Sequence, residues 1–137
     1  LLYKPPLGFF GQIVTDSAGE GAHTFNIKEA MLPIVNFARL YSLKHQIEET
    51  NTFDRLERLL ELQALKRSFY DDLDQAYRFL MQLRLTHQAR EFVDRKTPDN
   101  LIDPKSLSHI EEAMLKESLS IITTMRKKIS FDFLGRA

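Results

Sequence analysis

The sequence contains no cysteine and no tryptophan, and neither charge sign is in excess. Without cysteine the chain forms neither disulfides nor thiolate metal sites, and thiol catalysis is excluded. Its 19 basic residues balance 19 acidic ones, which argues against a nucleic-acid-binding module, since such modules usually carry a basic surplus. No apolar run approaches the roughly 20 residues of a membrane-spanning helix. We therefore expect a cytoplasmic protein that binds neither nucleic acid nor membrane.

The chain has 137 residues, which is enough for one domain with a proper core and short for two. It begins with Leu1-Leu2-Tyr3-Lys4, without an initiating methionine and without the features of a signal peptide. We expect a single helical domain, residues 1–137, excised from a longer multidomain chain. Within it, residues 1–31 are a predicted linker and hairpin, and residues 32–137 a predicted helical bundle.

The most informative stretch is 69–95, whose apolar spacing is typical of one long helix. Its apolar positions recur in steps of four and three residues and form one stripe: Phe69, Leu73, Ala76, Leu80 and Leu83. The next position on that stripe is His87. A helix with one such stripe needs partner helices to cover it.

Three further helices are predicted. The first begins near Leu32, with Pro33 in its first turn, because proline is well tolerated there. The second covers 53–64, with Asn51 or Thr52 as its cap. The last helix opens around 102–104 and is capped by Asp103 or Ser106.

Strand-like segments at 9–15 and 23–28 flank a glycine-containing turn, which predicts a β-hairpin. The predicted fold is all-α, a mostly antiparallel four-helix bundle with a short N-terminal β-hairpin or extended N-terminal segment.

The sequence has no strong catalytic motif. It has no Gly-x-Ser-x-Gly element and no glycine-rich phosphate loop before a helix. The best metal-site pattern is a pair of reversed His-x-x-Glu spacings, His45 with Glu48 and His109 with Glu112. The helix dipole explains both, because His45 lies near a predicted helix C-terminus and Glu112 near an N-terminus. We predict no metal site and no catalytic residue.

Four polar residues occupy apolar-looking positions of the predicted helices. Arg39 lies inside the most hydrophobic helix, where a buried guanidinium would need partners unless its stem reaches the surface. Arg84 and Gln88 flank the apolar stripe of the long helix, and His87 ends it. Two interpretations stay open: a hydrogen-bond network that fixes helix packing, or a polar end of the bundle that faces a ligand or another domain.

Short motifs also occur in an order typical of one family: Pro33-Ile34-Val35 with Arg39-Leu40, Glu49-Thr50-Asn51-Thr52 with Arg55-Leu56, Leu83-Arg84-Leu85 with His87-Gln88, and Asp99-Asn100-Leu101-Ile102-Asp103-Pro104 with Leu107. Over nearly the whole chain they resemble the C-terminal substrate-binding domain of bacterial nucleotidyltransferases that also carry cystathionine-β-synthase-type signal-transduction domains. These are relatives of the protein-PII uridylyltransferases. The chain departs from the family at 30–32, where members often have a basic-plus-glycine turn.

The resemblance implies a noncatalytic domain that packs beside an upstream nucleotidyltransferase domain of the same parent chain. It would help to bind an acceptor substrate, with a protein as one option, and would hold no cofactor itself. Mg²⁺ and a nucleoside triphosphate belong to the catalytic domain of the parent. Carried over by motif, the candidate substrate-binding or domain-interface residues are Arg39, Asn51, Thr52, Arg55, Arg84, His87, Gln88 and Asn100.

The alternative is a helical interaction or dimerisation module without a ligand site, and a homodimer stays open. An exposed apolar strip on the last helix, continued by Phe131, Phe133 and Leu134, would favour it. Convergence of Arg39, Arg55 and Arg84 at one open end would favour the ligand-binding interpretation instead.

Overall fold

Helices account for most of the residues that this computed structural model describes, which are 16–17 and 23–136. In chain order the elements are β1 (Asp16–Ser17), β2 (His23–Asn26), α1 (Ile27–Lys44), α2 (Thr52–Glu61), α3 (Arg67–Val93), β3 (Leu101–Ile102), a 3₁₀ turn (Pro104–Ser106) and α4 (His109–Leu134). No helix in this part of the chain has an apolar stretch long enough to cross a bilayer.

The long helix α3 is the predicted one, and its apolar stripe is buried as predicted. Leu73 and Leu80 are fully buried, Ala76 and Leu83 nearly so, and Phe69 packs partly buried against the same core. Burying one leucine side chain contributes about 1.5–3 kcal/mol, so this stripe is a main source of the domain's stability.

The prediction that the first helix begins near Leu32 is wrong, because α1 begins at Ile27. The side chain of Asn26 accepts a hydrogen bond from the Glu29 amide at 3.2 Å, which caps the helix five residues earlier. Pro33 consequently lies inside α1 rather than in its first turn. The early start also shortens β2, which ends at Asn26 and not at Lys28.

The helices pack around one core, and particular contacts fix their relative directions. The Ile27 amide, at the start of α1, donates to the Asn100 carbonyl oxygen at 2.8 Å, beyond the end of α3. Further along α1 the Phe37 ring packs edge-on against Phe69, near the start of α3, with ring centroids 5.7 Å apart. The two helices therefore run antiparallel. That all four helices form a regular bundle stays a prediction.

The sheet is small and holds one strand that was not predicted. β1 pairs with β2 in an antiparallel hairpin near the N-terminus, as expected, with Asp16 opposite Thr24. The predicted strand at 9–15 lies outside the described residues. β3 then pairs with the other edge of β2, and the opposed residues Phe25 and Ile102 are both buried.

Because 101–102 form this strand, the prediction that the last helix opens at 102–104 is wrong. Asp103 caps only the short 3₁₀ turn, and α4 starts at His109. Ser108 and Glu111 form a capping box, in which each side chain accepts a hydrogen bond from the other residue's amide, at 3.2 and 2.7 Å.

Candidate functional site

Four of the eight predicted site residues meet at the C-terminal end of α3. Arg84 Nε donates to Asn100 Oδ1 at 2.8 Å, and Gln88 Nε2 donates to the same oxygen at 3.2 Å. Gln88 Nε2 also lies 3.3 Å from the Asp99 carbonyl oxygen, and His87 Nε2 lies 2.9 Å from Asp99 Oδ1. One network therefore joins the helix to the segment that follows it.

This network exists because the chain turns back on itself after α3. The helix ends at Val93, and Arg95 adopts a left-handed conformation with φ of 57°. The Lys96 amide donates to the Glu91 carbonyl oxygen at 2.8 Å, and the Asp99 amide donates to Glu91 Oε2 at 2.7 Å. These bonds bring Asp99 and Asn100 back beside the last turns of α3.

Glu91 and Asp99 complete the group, which we call the α3-end cluster: Arg84, His87, Gln88, Glu91, Asp99 and Asn100. His87 and Glu91 are four residues apart on α3 and share a face, with His87 Nε2 3.3 Å from Glu91 Oε1. The side chains of His87, Glu91 and Asp99 are 24%, 15% and 47% exposed, so the cluster is open to solvent on the side of Asp99.

The Asp99 carboxylate is held in its charged form. Burial raises the pKa of Asp99, but the hydrogen bonds from His87 and from the Leu101 amide outweigh burial and leave the pKa below its ordinary value. The Leu101 amide lies 2.9 Å from Asp99 Oδ1. The charge thus anchors the first residue of β3 as well as the imidazole.

Arg84 is partly buried and contacts the cluster through Nε. Among the described residues it forms no ion pair with a carboxylate, so its positive charge is not neutralised by a neighbour within 4 Å. The two terminal nitrogens of a guanidinium remain as donors in a fixed fork, a geometry that suits carboxylates and phosphates.

Three other predicted residues lie at the connection between α1 and α2. The Asn51 side chain caps α2 by accepting from the Phe53 amide at 2.8 Å, as predicted, and Thr52 is the first residue of that helix. Arg55 Nε donates to the Glu49 carbonyl oxygen at 2.7 Å, which holds the preceding loop against the helix. Each of these contacts has a local structural role.

Arg39 lies elsewhere and is exposed on α1, so of the two options left open for it the one in which the side chain reaches the surface applies. It follows Ile27, which adjoins the cluster at Asn100, by twelve positions, and this corresponds to roughly 18 Å along the helix axis. Arg39 therefore lies toward the C-terminal end of α1, whereas Arg84, on α3, lies near the N-terminal end of α1. The three arginines do not converge at one open end.

Sequence reasoning missed Glu91 and Asp99, although two signals pointed to them. Glu91 follows His87 at helical spacing, and Asp99 directly precedes Asn100 in one of the family motifs.

Sequence reasoning also missed a second polar group at the far end of α1. There the Tyr41 hydroxyl donates to the Asp132 carboxylate, which also accepts from Lys128 Nζ at 2.9 Å.

This second group ties the end of α4 to α1. Phe133 packs edge-on against Tyr41 with ring centroids 5.2 Å apart, so part of the predicted apolar strip is used inside the domain. Phe131 and Leu134, in contrast, are 66% and 61% exposed. Burial and the bond to Asp132 raise the pKa of Tyr41 well above its ordinary value, so the hydroxyl stays protonated as the donor.

Comparison with known families gives a match over most of the chain. The model of a family described as "putative nucleotidyltransferase substrate binding domain" matches residues 1–133. No curated protein and no solved structure matches the chain.

Proposed function

Because the chain belongs to this family of nucleotidyltransferase substrate-binding domains, we propose that it presents an acceptor substrate to a catalytic domain of the same parent protein. The family description assigns the domain to binding and not to catalysis, and it implies a partner nucleotidyltransferase domain. The observation that carries the proposal is the α3-end cluster, where four residues from two separate motifs meet at a solvent-open position.

The chemistry of the cluster favours an anionic acceptor group. Arg84 brings a charge without an ion-pair partner among the described residues. Asn100 Oδ1 accepts from its Nε and so orients the guanidinium, while Gln88 holds Asn100 by donating to the same oxygen. A guanidinium with a fixed direction binds a carboxylate or phosphate more specifically than a flexible lysine. We therefore expect the acceptor to place an acidic group against Arg84, and an acidic protein surface would meet this requirement.

The finer parts of the proposal come from the family resemblance. The parent is a bacterial, cytoplasmic protein with cystathionine-β-synthase-type regulatory domains, related to the protein-PII uridylyltransferases. Its separate catalytic domain uses Mg²⁺ and a nucleoside triphosphate. In this arrangement the four helices form a mostly antiparallel bundle, and the N-terminal hairpin completes or abuts the edge of the catalytic domain.

The test uses the parent protein with labelled nucleoside triphosphates and a cell lysate as the source of acceptor. We expect label transfer to fall strongly in Arg84→Gln and to recover partly in Arg84→Lys, which restores the charge. Arg39→Gln is the matched control, because Arg39 is exposed on the same domain but lies away from the cluster. Equal transfer by Arg84→Gln and the unmodified protein would refute a role of the cluster in acceptor binding.

A second candidate, a dimerisation module, is favoured by exposed apolar side chains on α3. Leu85, Phe92 and Val93 are 60%, 75% and 77% exposed. Such residues in one stretch of a helix often mark a protein interface. Sedimentation of the 137-residue chain separates the candidates, since a strict monomer over the accessible concentration range counts against dimerisation.

A further inference from the structure

We propose that His87, Glu91 and Asp99 form a binding site for a divalent transition-metal cation of the Zn²⁺ type. The site lies inside the α3-end cluster, but this inference does not rest on the proposed function. It differs from both reversed His-x-x-Glu pairs, because it combines a helical His-x-x-x-Glu spacing with a carboxylate from the returning loop.

The imidazole nitrogen already lies as close to each of the two carboxylates as neighbouring ligand atoms lie in a coordination shell. His87 Nε2, one Glu91 oxygen and one Asp99 oxygen all lie within 4.8 Å of one another. Nε2 is 2.9 Å from Asp99 Oδ1 and 3.3 Å from Glu91 Oε1. Metal–ligand bonds of about 2.0–2.2 Å place neighbouring ligand atoms roughly 3.3–3.6 Å apart in a tetrahedral shell and roughly 2.8–3.1 Å apart in an octahedral one, so both imidazole–carboxylate separations lie near the required range.

The negative charges of Glu91 and Asp99 also favour binding of a cation. Two carboxylates share this place, and among the described residues neither forms an ion pair with a lysine or arginine. The imidazole presents one nitrogen to both of them, and a single N–H donates well to only one acceptor at a time. A divalent ion in place of that proton would contact both carboxylates and neutralise them together.

The carboxylates are held in position by the backbone. The Asp99 amide donates to Glu91 Oε2 and leaves Oε1 facing the imidazole, and the Leu101 amide donates to Asp99 Oδ1. Such supporting hydrogen bonds are typical of ligands that bind metals tightly. One imidazole with two carboxylates suits Zn²⁺, Mn²⁺ or Co²⁺ better than Mg²⁺, which prefers oxygen ligands alone. Three protein ligands leave at least one coordination position for water or an anion.

The experiment is a calorimetric titration of the EDTA-treated 137-residue chain with ZnCl₂ in a non-chelating buffer near pH 7.5. We expect one saturable site, with affinity reduced at least about tenfold in Asp99→Asn and in Glu91→Gln, since even supporting residues of metal sites contribute 10–100-fold. His109→Ala is the matched control, because His109 is exposed beside Glu112 on α4 and outside the cluster. It should bind as the unmodified chain does.

A second measurement does not depend on the folding of variants. The chain has four histidines, so their imidazole proton resonances can be assigned and followed during the titration. We expect the His87 resonances to shift and those of the other three to stay. The proposal is overturned by a lack of saturable binding, by unchanged affinity in Asp99→Asn, by loss of binding in His109→Ala, or by Zn²⁺ shifts at another histidine alone.

Discussion

Replacing Asn100 by alanine is the most direct perturbation of the α3-end cluster. The Asn100 Oδ1 atom accepts hydrogen bonds from Arg84 Nε at 2.8 Å and from Gln88 Nε2 at 3.2 Å. The substitution removes this acceptor and leaves two donors without it. The Asn100 carbonyl bond to the Ile27 amide belongs to the backbone and can persist in alanine.

The expected loss of stability follows from these two bonds. A hydrogen bond to a charged group contributes about 1.5–3 kcal/mol and a neutral one about 0.5–1.5 kcal/mol. Both donors are only partly buried, so water replaces part of the lost interaction and the lower ends apply. We expect Asn100→Ala to reduce the free energy of unfolding by about 2 kcal/mol. In a domain of this size that lowers the melting temperature by about 7 °C.

Urea and thermal unfolding followed by circular dichroism would measure this difference. Asn36→Ala is the matched control, because Asn36 is exposed on α1, and alanine favours a helix more than asparagine does. We expect the control to be neutral or slightly stabilising. A double-mutant cycle with Arg84→Gln should give a coupling free energy of about 1 kcal/mol between the two side chains.

The reasoning would be refuted if Asn100→Ala unfolded within about 0.5 kcal/mol of the unmodified chain, which is the range of ordinary surface substitutions. A coupling energy near zero would show that the Arg84 contact contributes nothing, even if the single substitution were destabilising. In that case the loss would come from Gln88 or from the loop itself.

Two further predictions concern the core and the response to acid. Leu80→Ala should cost about 3 kcal/mol of unfolding free energy, because Leu80 is fully buried. Leu85→Ala, at a 60% exposed position of the same helix, should cost under about 0.5 kcal/mol. Urea titrations of the two variants would measure both losses, and equal losses would contradict the assignment of the buried face of α3. The bonds from Tyr41 and from Lys128 lower the pKa of Asp132, so its contribution to stability is complete above about pH 4 and is lost as the pH falls through the depressed pKa. Urea midpoints between pH 7 and 3 should therefore fall less steeply in Asp132→Asn, and an unchanged slope would speak against this contribution.

The sequence predicted α3 well because one physical signal dominates there. Its apolar residues recur at helical spacing over most of the 27 residues of the helix, and burial of that stripe decides the structure. The end of the stripe also singled out His87, Arg84 and Gln88, which lie in the α3-end cluster, and their role in binding stays a prediction. For Asn100 it was the family motif, and not the periodicity, that singled out the residue.

The predicted boundaries of α1 and α4 are wrong because each stretch of sequence holds more than one possible helix-start signal. The composition of residues 23–28 predicts a strand, but the feature that starts the helix is Asn26 three residues before Glu29, a standard helix-start pattern. In the same way Ser108 and Glu111, at capping-box spacing, start α4 in place of the predicted caps Asp103 and Ser106. Both errors were avoidable from the sequence.

The approach of Asp99 to His87 and Glu91 was not predictable in this way. It depends on a left-handed residue at Arg95 and on backbone bonds to Glu91. Asp99 follows His87 by 12 positions, and a connection of that length has many alternative paths. The pairing of β3 with β2 then fixes where the loop ends. Only the tertiary structure selects among those paths, which is why the cluster was recognised as separate motifs and not as one site.

Asn100 is the residue at which the cluster and the N-terminal part of the domain meet. Its side chain binds α3, its carbonyl oxygen accepts from the first residue of α1, and the next residue pairs with Asn26 of β2. Any change that moves the Asn100 backbone must therefore move the start of α1 and the hairpin edge as well. Alanine at this position separates the two roles, since it removes the side-chain bonds alone. A loss of stability with an intact sheet would then place the contribution in the cluster and not in the strand pairing.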